Sequence, residues 1–526
     1  MKSLHELRAP SEDRGILQYP DPTLFASLIE NNRLSFSNAN TLIANKSIQD
    51  LRSLAKHETY SLAISFLAQN HQGMKVDNQR SLLVAGHQPE LFHPGVWIKN
   101  FALNSIANSN GMTPLNLIID NDVVKHESIA MPSFEKERRQ TALHSLHFDH
   151  KSSGIPYEDW SVNDLEVFKK FGEEVKAQTA KWKHTPLVNE YWPEVLRALE
   201  NGCKPGFAFA WARRKFEQQL GCFNLELPVS LLCETESFAT FALHLFNNAE
   251  SFAMVFNQAV AKYRATYGIK SKNHPFPDLA IAKGWAETPF WILLPGSTRR
   301  QRLGAKLEPN GEIRLGTPGP DGIRLNLGIS HQLEELRKLG SQGFRIRPRA
   351  LSTTLFARLI LSDAFIHGIG GAKYDEVTNE MIQSFFNIQI PKFLVISATA
   401  QLQLIDNLIS EAEVKGAKLF ARDLWWNPQR HNPSQYSPLW HSLLDQRKKL
   451  LNQISITHLE RKLRYEQLRN NLEQARLLIK PDYLNALKIA KRLAEEFKFQ
   501  QQCEGREFSF ILHSKKKLTE LFSTFF

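Results

Sequence analysis

Apolar residues along the chain fall into two kinds of pattern, short unbroken runs and longer stripes at helical spacing, and their order predicts the architecture. Through residue 80, amphipathic stretches such as PTLFASLIENNRL alternate with polar turns, which predicts a helical lead-in. The pattern then switches. SLLVAGH is a short apolar run, VWIKNFALNSIANSNG carries helical spacing closed by Gly111, and PLNLIIDND is a second apolar run. Strand, crossover helix and strand in that order form a unit whose strands run parallel. Residues 132–225 are polar and Trp-rich, with helical spacing in DLEVFKKFGEEVKAQTAKWK and VLRALENG, and predict a mainly helical insertion. Strand pattern resumes at LELPVSLLCET and again at TPFWILLPG, on either side of one long helical stretch from Phe238 to Gly268. QRLGAKLEPNGEIRLGTPGPDG predicts a hairpin, since its EPNGE turn contains the Asn-Gly pair favoured in two-residue loops. FRIRPRALSTTLFARLILSDAFIHGIGGAKYDEVTNEMIQSFF predicts strand, helix, Gly-rich loop and helix, with Ser352 or Thr353 capping the first helix. KFLVIS is one more buried strand.

The C-terminal stretch carries a different repeat. Leu444, Leu451, Tyr465, Leu472 and Ile479 lie at multiples of seven residues, with Ile454 and Leu468 between them and lapses at His458 and Arg461. Pro481 is expected to break this helix, and Tyr483, Leu487, Ala490, Ala494 and Phe497 form a matching stripe beyond it. An antiparallel coiled-coil hairpin would bury both stripes, as a packing element or as a clamp or dimer arm. The expected fold is therefore α/β: a parallel-sheet core with helical insertions and a C-terminal antiparallel coiled-coil hairpin. The expected segments are 1–131 for the lead-in and first half of the core, 132–225 for the insertion, 226–425 for the second half, and 426–526 for the coiled-coil region.

Composition narrows the partners. A chain of 526 residues is too long for one compact core. Its formal net charge of +11 favours anionic ligands such as nucleotides or phosphorylated metabolites. The basic residues are dispersed, and the densest runs, RKLRYEQLR and HSKKKL, sit in helical sequence where a solvated face explains them, so nucleic acid is not expected. No apolar run approaches eighteen residues, the start MKSLHELRAPSEDRG has no apolar signal region, and the four cysteines show no metal spacing. These features predict a cytoplasmic protein with no membrane span and no disulfide framework.

Three stretches carry candidate chemistry. GHQPELFHPGVWIKN, residues 86–100, leaves the first strand of the core, where ligands of open α/β sheets bind. It would place His87, Gln88 and His93 in the crevice, start a helix at Pro94, and bring Lys99 near the helix N-terminus as an anion site. A rigid connector whose histidines satisfy carbonyls explains the same residues. The second strand ends in IIDNDVVKHES, putting Asp120, Asn121 and Asp122 at the same rim, where carboxylates could orient a nucleophile, hold a divalent metal or act as a base, or simply turn the chain. HGIGGAKYDE offers His367, three glycines at 368, 370 and 371, and Lys373 before another helix; the spacing is not that of a P-loop. Upstream, Arg347 and Arg349 could grip a carboxylate or phosphate, or lie on the surface. No nucleophile elbow or zinc-protease signature is present, which disfavours covalent catalysis.

In this order the stretches resemble the cysteine-adding enzyme family of bacillithiol biosynthesis (BshC). GHQPELFHPGVWIK is similar to that family's GQQAGLLxGPLYTxxK segment through Gly86, Gln88, Gly95 and Lys99. LIIDNDVVKHES is similar to its acidic turn through Asp120 and Asp122, IRPRAL to its RP segment, and HGIGGAKYDE to its GGPGExxY loop through Gly368, Gly371 and Tyr374. Asn121 stands where the family has histidine, Ile119 where it has the first acid, and KFLVISATAQL lacks the expected arginine. The resemblance implies a Rossmann-like, nucleotidyltransferase-type core and formation of an amide between a cysteine carboxyl, or another small carboxylate, and an amino-sugar-like amine. In such a ligase Lys99, Gly370 and Lys373 would help hold an anion. His87, His93 and Asp120 would position the nucleophile or move its proton, while Arg347 or Arg349 would neutralise charge. ATP or another nucleotide is compatible with this chemistry. The alternative from the same residues is a non-catalytic nucleotide- or anion-binding sensor whose coiled coil recruits a partner or a second copy.

Overall fold

The computed structural model of the protein describes residues 4–69, 77, 80–132, 143–150, 154–318, 322–404, 408–432 and 438–526. Residues 133–142 and 151–153 of the expected insertion lie outside them. The chain divides into two compact units, one of residues 1–130, 145–401 and 506–526, the other of 131–144 and 402–505.

The first unit is mixed α/β. Its main sheet has the strand order Ile16–Tyr19, Leu394–Ala398, Ala364–His367, Leu82–His87, Thr113–Ile118, Leu225–Pro228. All neighbours are parallel except the edge strand Ile16–Tyr19, which is antiparallel to Leu394–Ala398. The parallel strands are covered on both faces, so they read in sequence as continuous apolar runs. From Leu82–His87 the chain builds outward to Thr113–Ile118 and Leu225–Pro228, then crosses to the other side for Ala364–His367 and Leu394–Ala398. The strand order thus reverses between the strands that end in His87 and His367. In open parallel sheets that reversal leaves a crevice at the carboxyl ends of the strands.

The expected strand, helix, strand unit forms. Leu82–His87 and Thr113–Ile118 pair in parallel register from Leu82↔Thr113 to His87↔Ile118, joined by the helix Pro94–Ser109. Pro94 occupies its first turn, and the His93 Nδ1 atom caps it by accepting the Gly95 N–H at 3.1 Å. Trp97 and Phe101 on the buried face meet Phe510 and Phe522 of the C-terminal segment at ring-centroid distances of 4.4 and 4.1 Å. A Cβ on Gly95 would lie 2.1 Å from the Ala398 carbonyl oxygen, so only glycine lets the helix start against the end of that strand.

A second sheet, entirely antiparallel, has the order Arg324–Leu327, Ile313–Gly316, Gln301–Leu307, Trp285–Leu293, Arg345–Pro348. The expected hairpin is there, but Asn310 and Gly311 sit in a five-residue connection, 308–312, rather than a two-residue turn. Gly311 takes the left-handed conformation, with φ +86°.

Other expectations are corrected. Residues 1–80 hold more than helices, because Ile16–Tyr19 completes the sheet edge and Leu42–Ile43 pairs with Lys46–Ser47. The long helical stretch divides at Asn248 into Glu236–Asn247 and Ala249–Thr266. The run before the glycines contains the strand Ala364–His367, and the glycines themselves lie in a short helix, Ile369–Tyr374, capped by Gly368. Neither Ser352 nor Thr353 caps the helix Ala350–Phe356; Arg349 is at that position, and the Ser352 hydroxyl donates to the Pro289 carbonyl at 2.7 Å.

The second unit is mostly helical. Glu411–Trp426 and Pro438–Asn452 pack on one long helix, His458–Cys503, around Ala421, Leu424, Trp440, Leu443, Ala475, Ile479 and Ala486. This helix corrects the expected hairpin, because it runs 46 residues straight through Pro481. A proline inside a helix forfeits one backbone hydrogen bond, and here the turns on both sides are held by packing of Ile479 and Ala486. The seven-residue stripe is not one seam. Residues 453–457 are non-helical, and Leu451, Ile454 and Tyr465 are exposed. Among the described residues no helix is long and apolar enough to cross a membrane.

Candidate functional site

At the crevice between the strands ending in His87 and His367 lies a cavity of about 950 Å³, contained within the first unit. The rim of the sheet supplies His87, Gln88, His367 and Ser397; the helix that starts at Pro94 supplies Lys99. The glycine helix supplies Gly368, Gly370, Gly371, Lys373 and Tyr374, and apolar walls come from Phe256, Phe276, Leu279 and Phe365. His93 and Gly370, 277 positions apart by their numbers, line the same space.

Among the described residues Lys99 is a cation buried without a carboxylate. It is 5% exposed, and its ammonium group donates to the Gly86 carbonyl at 3.2 Å. Among the described residues no carboxylate lies within ion-pair distance of it. Burial lowers its pKa to about 8, so near neutral pH it still carries a charge that the fold has not neutralised. Gly86 fits tightly at this point: a Cβ there would sit 3.1 Å from both the Leu117 Cβ and the Leu117 carbonyl oxygen.

The histidines are neutral. Burial and the neighbouring Lys99 lower His87 to about 3, and burial with Arg506 and Lys99 lowers His93 to about 4. The His87 Nδ1 atom lies 3.0 Å from the Gln88 carbonyl, which can only accept, so that nitrogen carries the proton and Nε2 keeps a lone pair. His93 is the opposite tautomer, since its Nδ1 accepts from Gly95; its Nε2 is 3.6 Å from the exposed Glu507. His367, buried at the end of its strand, places Nε2 2.8 Å from Asp375 Oδ2, which leaves Nδ1 as the basic nitrogen. Asp375 is itself buried against the Arg358 guanidinium. Burial opposes its charge, but Arg358 and His367 outweigh that and hold its carboxyl at about 2. A neutral histidine oriented by a buried carboxylate, beside a cavity, is equipped to take a proton from a nucleophile.

The acidic turn divides. Asp122 lines the cavity, accepting from the Gln88 amide at 3.0 Å and pairing with Lys125 at 3.2 Å and Arg300 at 3.4 Å. Burial opposes its charge, but those partners together hold its carboxyl below the usual range. Asn121 is buried and lines the cavity; its amide nitrogen donates to the Pro348 carbonyl at 2.9 Å, while its Oδ1 has no hydrogen-bond partner among the described residues. Asp120 is elsewhere. It is not in the cavity wall but accepts from the Ser230 N–H at 2.8 Å and from the Ser230 hydroxyl, anchoring the short helix Val229–Leu232. Burial and Glu158 raise its carboxyl to about 7.

The two arginines divide as well. Arg347 is buried outside the cavity wall, with Nε 2.9 Å from Glu158 Oε1 and Nη1 2.9 Å from Glu234, so its charge is consumed by the fold. Arg349, just past the end of the same strand, lines the cavity, pairs with Glu287 at 2.6 Å and stacks 4.3 Å over Trp291. Sequence reasoning missed Trp291, Arg300, Arg302, Asp375 and Arg506, which also line the cavity. TRRQR, residues 298–302, is a dense basic cluster that could have flagged two of them, and Asp375 stood in the quoted glycine stretch.

No family model matches the sequence, and no curated protein matches it. The geometry therefore has to speak for the function. Among the described residues no group of three or more histidines, cysteines or acids is arranged to hold a metal. What the arrangement offers is an anion hole at Lys99, neutral bases at His87 and His367, and a basic-aromatic wall around Trp291.

Proposed function

We propose that the protein is a carbon–nitrogen ligase, on a Rossmann-like core of nucleotidyltransferase type, that joins a small carboxylate such as cysteine to an amine of the amino-sugar kind. The observation that carries this reading is Lys99: a buried ammonium group facing a ligand-sized cavity with a backbone carbonyl as its hydrogen-bond partner. Such a group is stabilised by an anionic ligand, either a substrate carboxylate or the phosphate of an activated one. Lys99 fixes that anion, with the Gly368–Lys373 segment lining the same cavity. The attacking amine must lose a proton as the C–N bond forms and the bond to the activating oxygen breaks. His367 takes that proton at Nδ1, with Asp375 stabilising the imidazolium, a role the sequence had suggested for Asp120. ATP or another nucleotide would supply the activation.

The test is isothermal titration with ATP, cysteine and amino sugars, followed by mass-spectrometric detection of an amide product. Binding and turnover by the wild type, with both lost in Lys99→Met, is the expected result. A folded protein that binds none of these ligands would retire the reading. Binding that never leads to product would instead favour the non-catalytic sensor.

A further inference from the structure

Trp291 organises a part of the cavity that the Lys99 anion site does not use. Arg349 lies 4.3 Å over its ring and Arg300 5.0 Å, so the two guanidinium groups are held at one aromatic surface. Arg302 joins them through a shared carboxylate: Glu287 pairs with Arg349 at 2.6 Å and with Arg302 at 3.6 Å. Arg300 finds Asp122 at 3.4 Å, but Lys125 competes for that same carboxylate at 3.2 Å. Among the described residues these three arginines therefore share two carboxylates within ion-pair distance, and one of the two is divided with a lysine.

Two further atoms mark the place. Arg349 Nε is buried with no hydrogen-bond partner among the described residues, and so is Asn121 Oδ1. The Asn121 side chain is locked in orientation, because its nitrogen donates to the Pro348 carbonyl at 2.9 Å, leaving the oxygen as the unfilled acceptor. The backbone carbonyl of the same residue accepts from Arg300 at 3.1 Å, which fixes Asn121 at the arginine wall. Buried donors and acceptors are rarely left unpaired, and here one of each belongs to a residue that lines the cavity beside excess positive charge.

We propose that this wall is a second oxyanion subsite, which takes a phosphate or carboxylate carrying a neighbouring hydroxyl or amine. The oxyanion takes the arginine N–H groups, with Trp291 keeping the guanidinium planes in place. The neighbouring donor satisfies Asn121 Oδ1. This deepens the ligase reading, on which it rests only in treating the cavity as a substrate site, and it predicts a substrate set with anionic groups at two separate poles.

The experiment is calorimetric titration of the full chain with glycerol 3-phosphate, with glycerate as the carboxylate arm, and with methyl phosphate as an oxyanion lacking the neighbouring hydroxyl. Arg300→Gln and the exposed Arg302→Gln should each weaken glycerol 3-phosphate by about tenfold, as loss of a charge-assisted hydrogen bond does. Lys491→Ala, on an exposed helix face outside the cavity lining, should leave this binding within about twofold. Asn121→Leu should abolish the preference for glycerol 3-phosphate over methyl phosphate. If that variant fails to fold by circular dichroism, the surface variant Arg302→Gln still decides the charge requirement. Stronger binding of glycerate than of the phosphate assigns the subsite to carboxylates, which keeps the proposal. Binding unchanged in both arginine variants, abolished by Lys99→Met, or absent altogether overturns it. Arginine-dependent binding by a protein that binds no ligase substrate would retire the ligase reading and keep the subsite.

Discussion

Arg213 and Lys99 are both buried cations of the first unit, and the fold treats them in opposite ways. Arg213 donates to Glu217 at 2.6 Å and to Glu226, in a network where Trp97 and Asn100 also donate to Glu217, each at 2.7 Å, and Asn116 to Glu226 at 2.8 Å. Lys99 donates to one carbonyl among the described residues. Burial costs both, but in the first case two carboxylates within hydrogen-bond reach offset the cost, raising the Arg213 pKa, while in the second burial stands alone and lowers the lysine. The difference separates charge that the native state has used up in holding elements together from charge that is left for something outside the chain. Arg347 and Arg349 show a milder form of the contrast two residues apart: Arg347 holds Glu158 and Glu234, whereas Arg349 has Glu287, which it shares with Arg302.

The comparison can be broken most forcefully at its paired side. Glu226→Gln leaves Arg213 buried with half its carboxylate partners, and should cost about 3–5 kcal/mol of unfolding free energy in urea denaturation. A loss under about 1 kcal/mol would mean that the network is not structural. Lys99→Met should act in the other direction. Removing an unpaired buried charge should leave stability unchanged or raise it by about 1–2 kcal/mol, while ligand titration shows the anion affinity falling about tenfold or more. A large destabilisation there would place Lys99 with Arg213.

Titration with pH sharpens the same point. Because burial lowers Lys99 from the ordinary lysine value to about 8, its protonated form is disfavoured in the folded state. Its cost to stability is therefore fully present below about 8 and disappears as pH rises toward the unfolded value. Anion binding needs the protonated form and should run the opposite way, weakening as pH passes about 8, with Lys99→Met flat over the same range. The smallest effect belongs to fully solvated pairs. Lys491→Ala removes an exposed helix pair with Glu495 at 3.9 Å and should change neither melting temperature nor binding by a resolvable amount.

Much of the core was legible because its signals are local. Continuous apolar runs mark strands covered on both faces, and Pro94 after a capping residue marks a helix start, so Leu82–Ile118 could be read directly. The strand Ala364–His367 could not, because its four residues follow an apolar helical stretch without a break in pattern. The helix through Pro481 escaped for a different reason, since proline's local preference was overridden by packing on both sides of it. In the candidate site, the glycine and histidine stretches stood out by composition, whereas Arg300 and Arg302 belong to a basic cluster that looks solvated until the second sheet is assembled.

The sequence by itself determined which residues are chemically capable: it supplied the histidines, Lys99, the acidic turn and the arginines, and the local rules that seat Pro94 and Gly95 at a helix entrance. Only the tertiary structure decided which of them are spent. Asp120 and Ser230, or Arg347 and Glu158, are joined by contacts across more than a hundred positions, and the energy of a charge depends on the partners and solvent around it rather than on its neighbours in the chain. That is why Asp120 and Arg347 became parts of the scaffold while His367, Asn121 and Arg349 came to face the cavity.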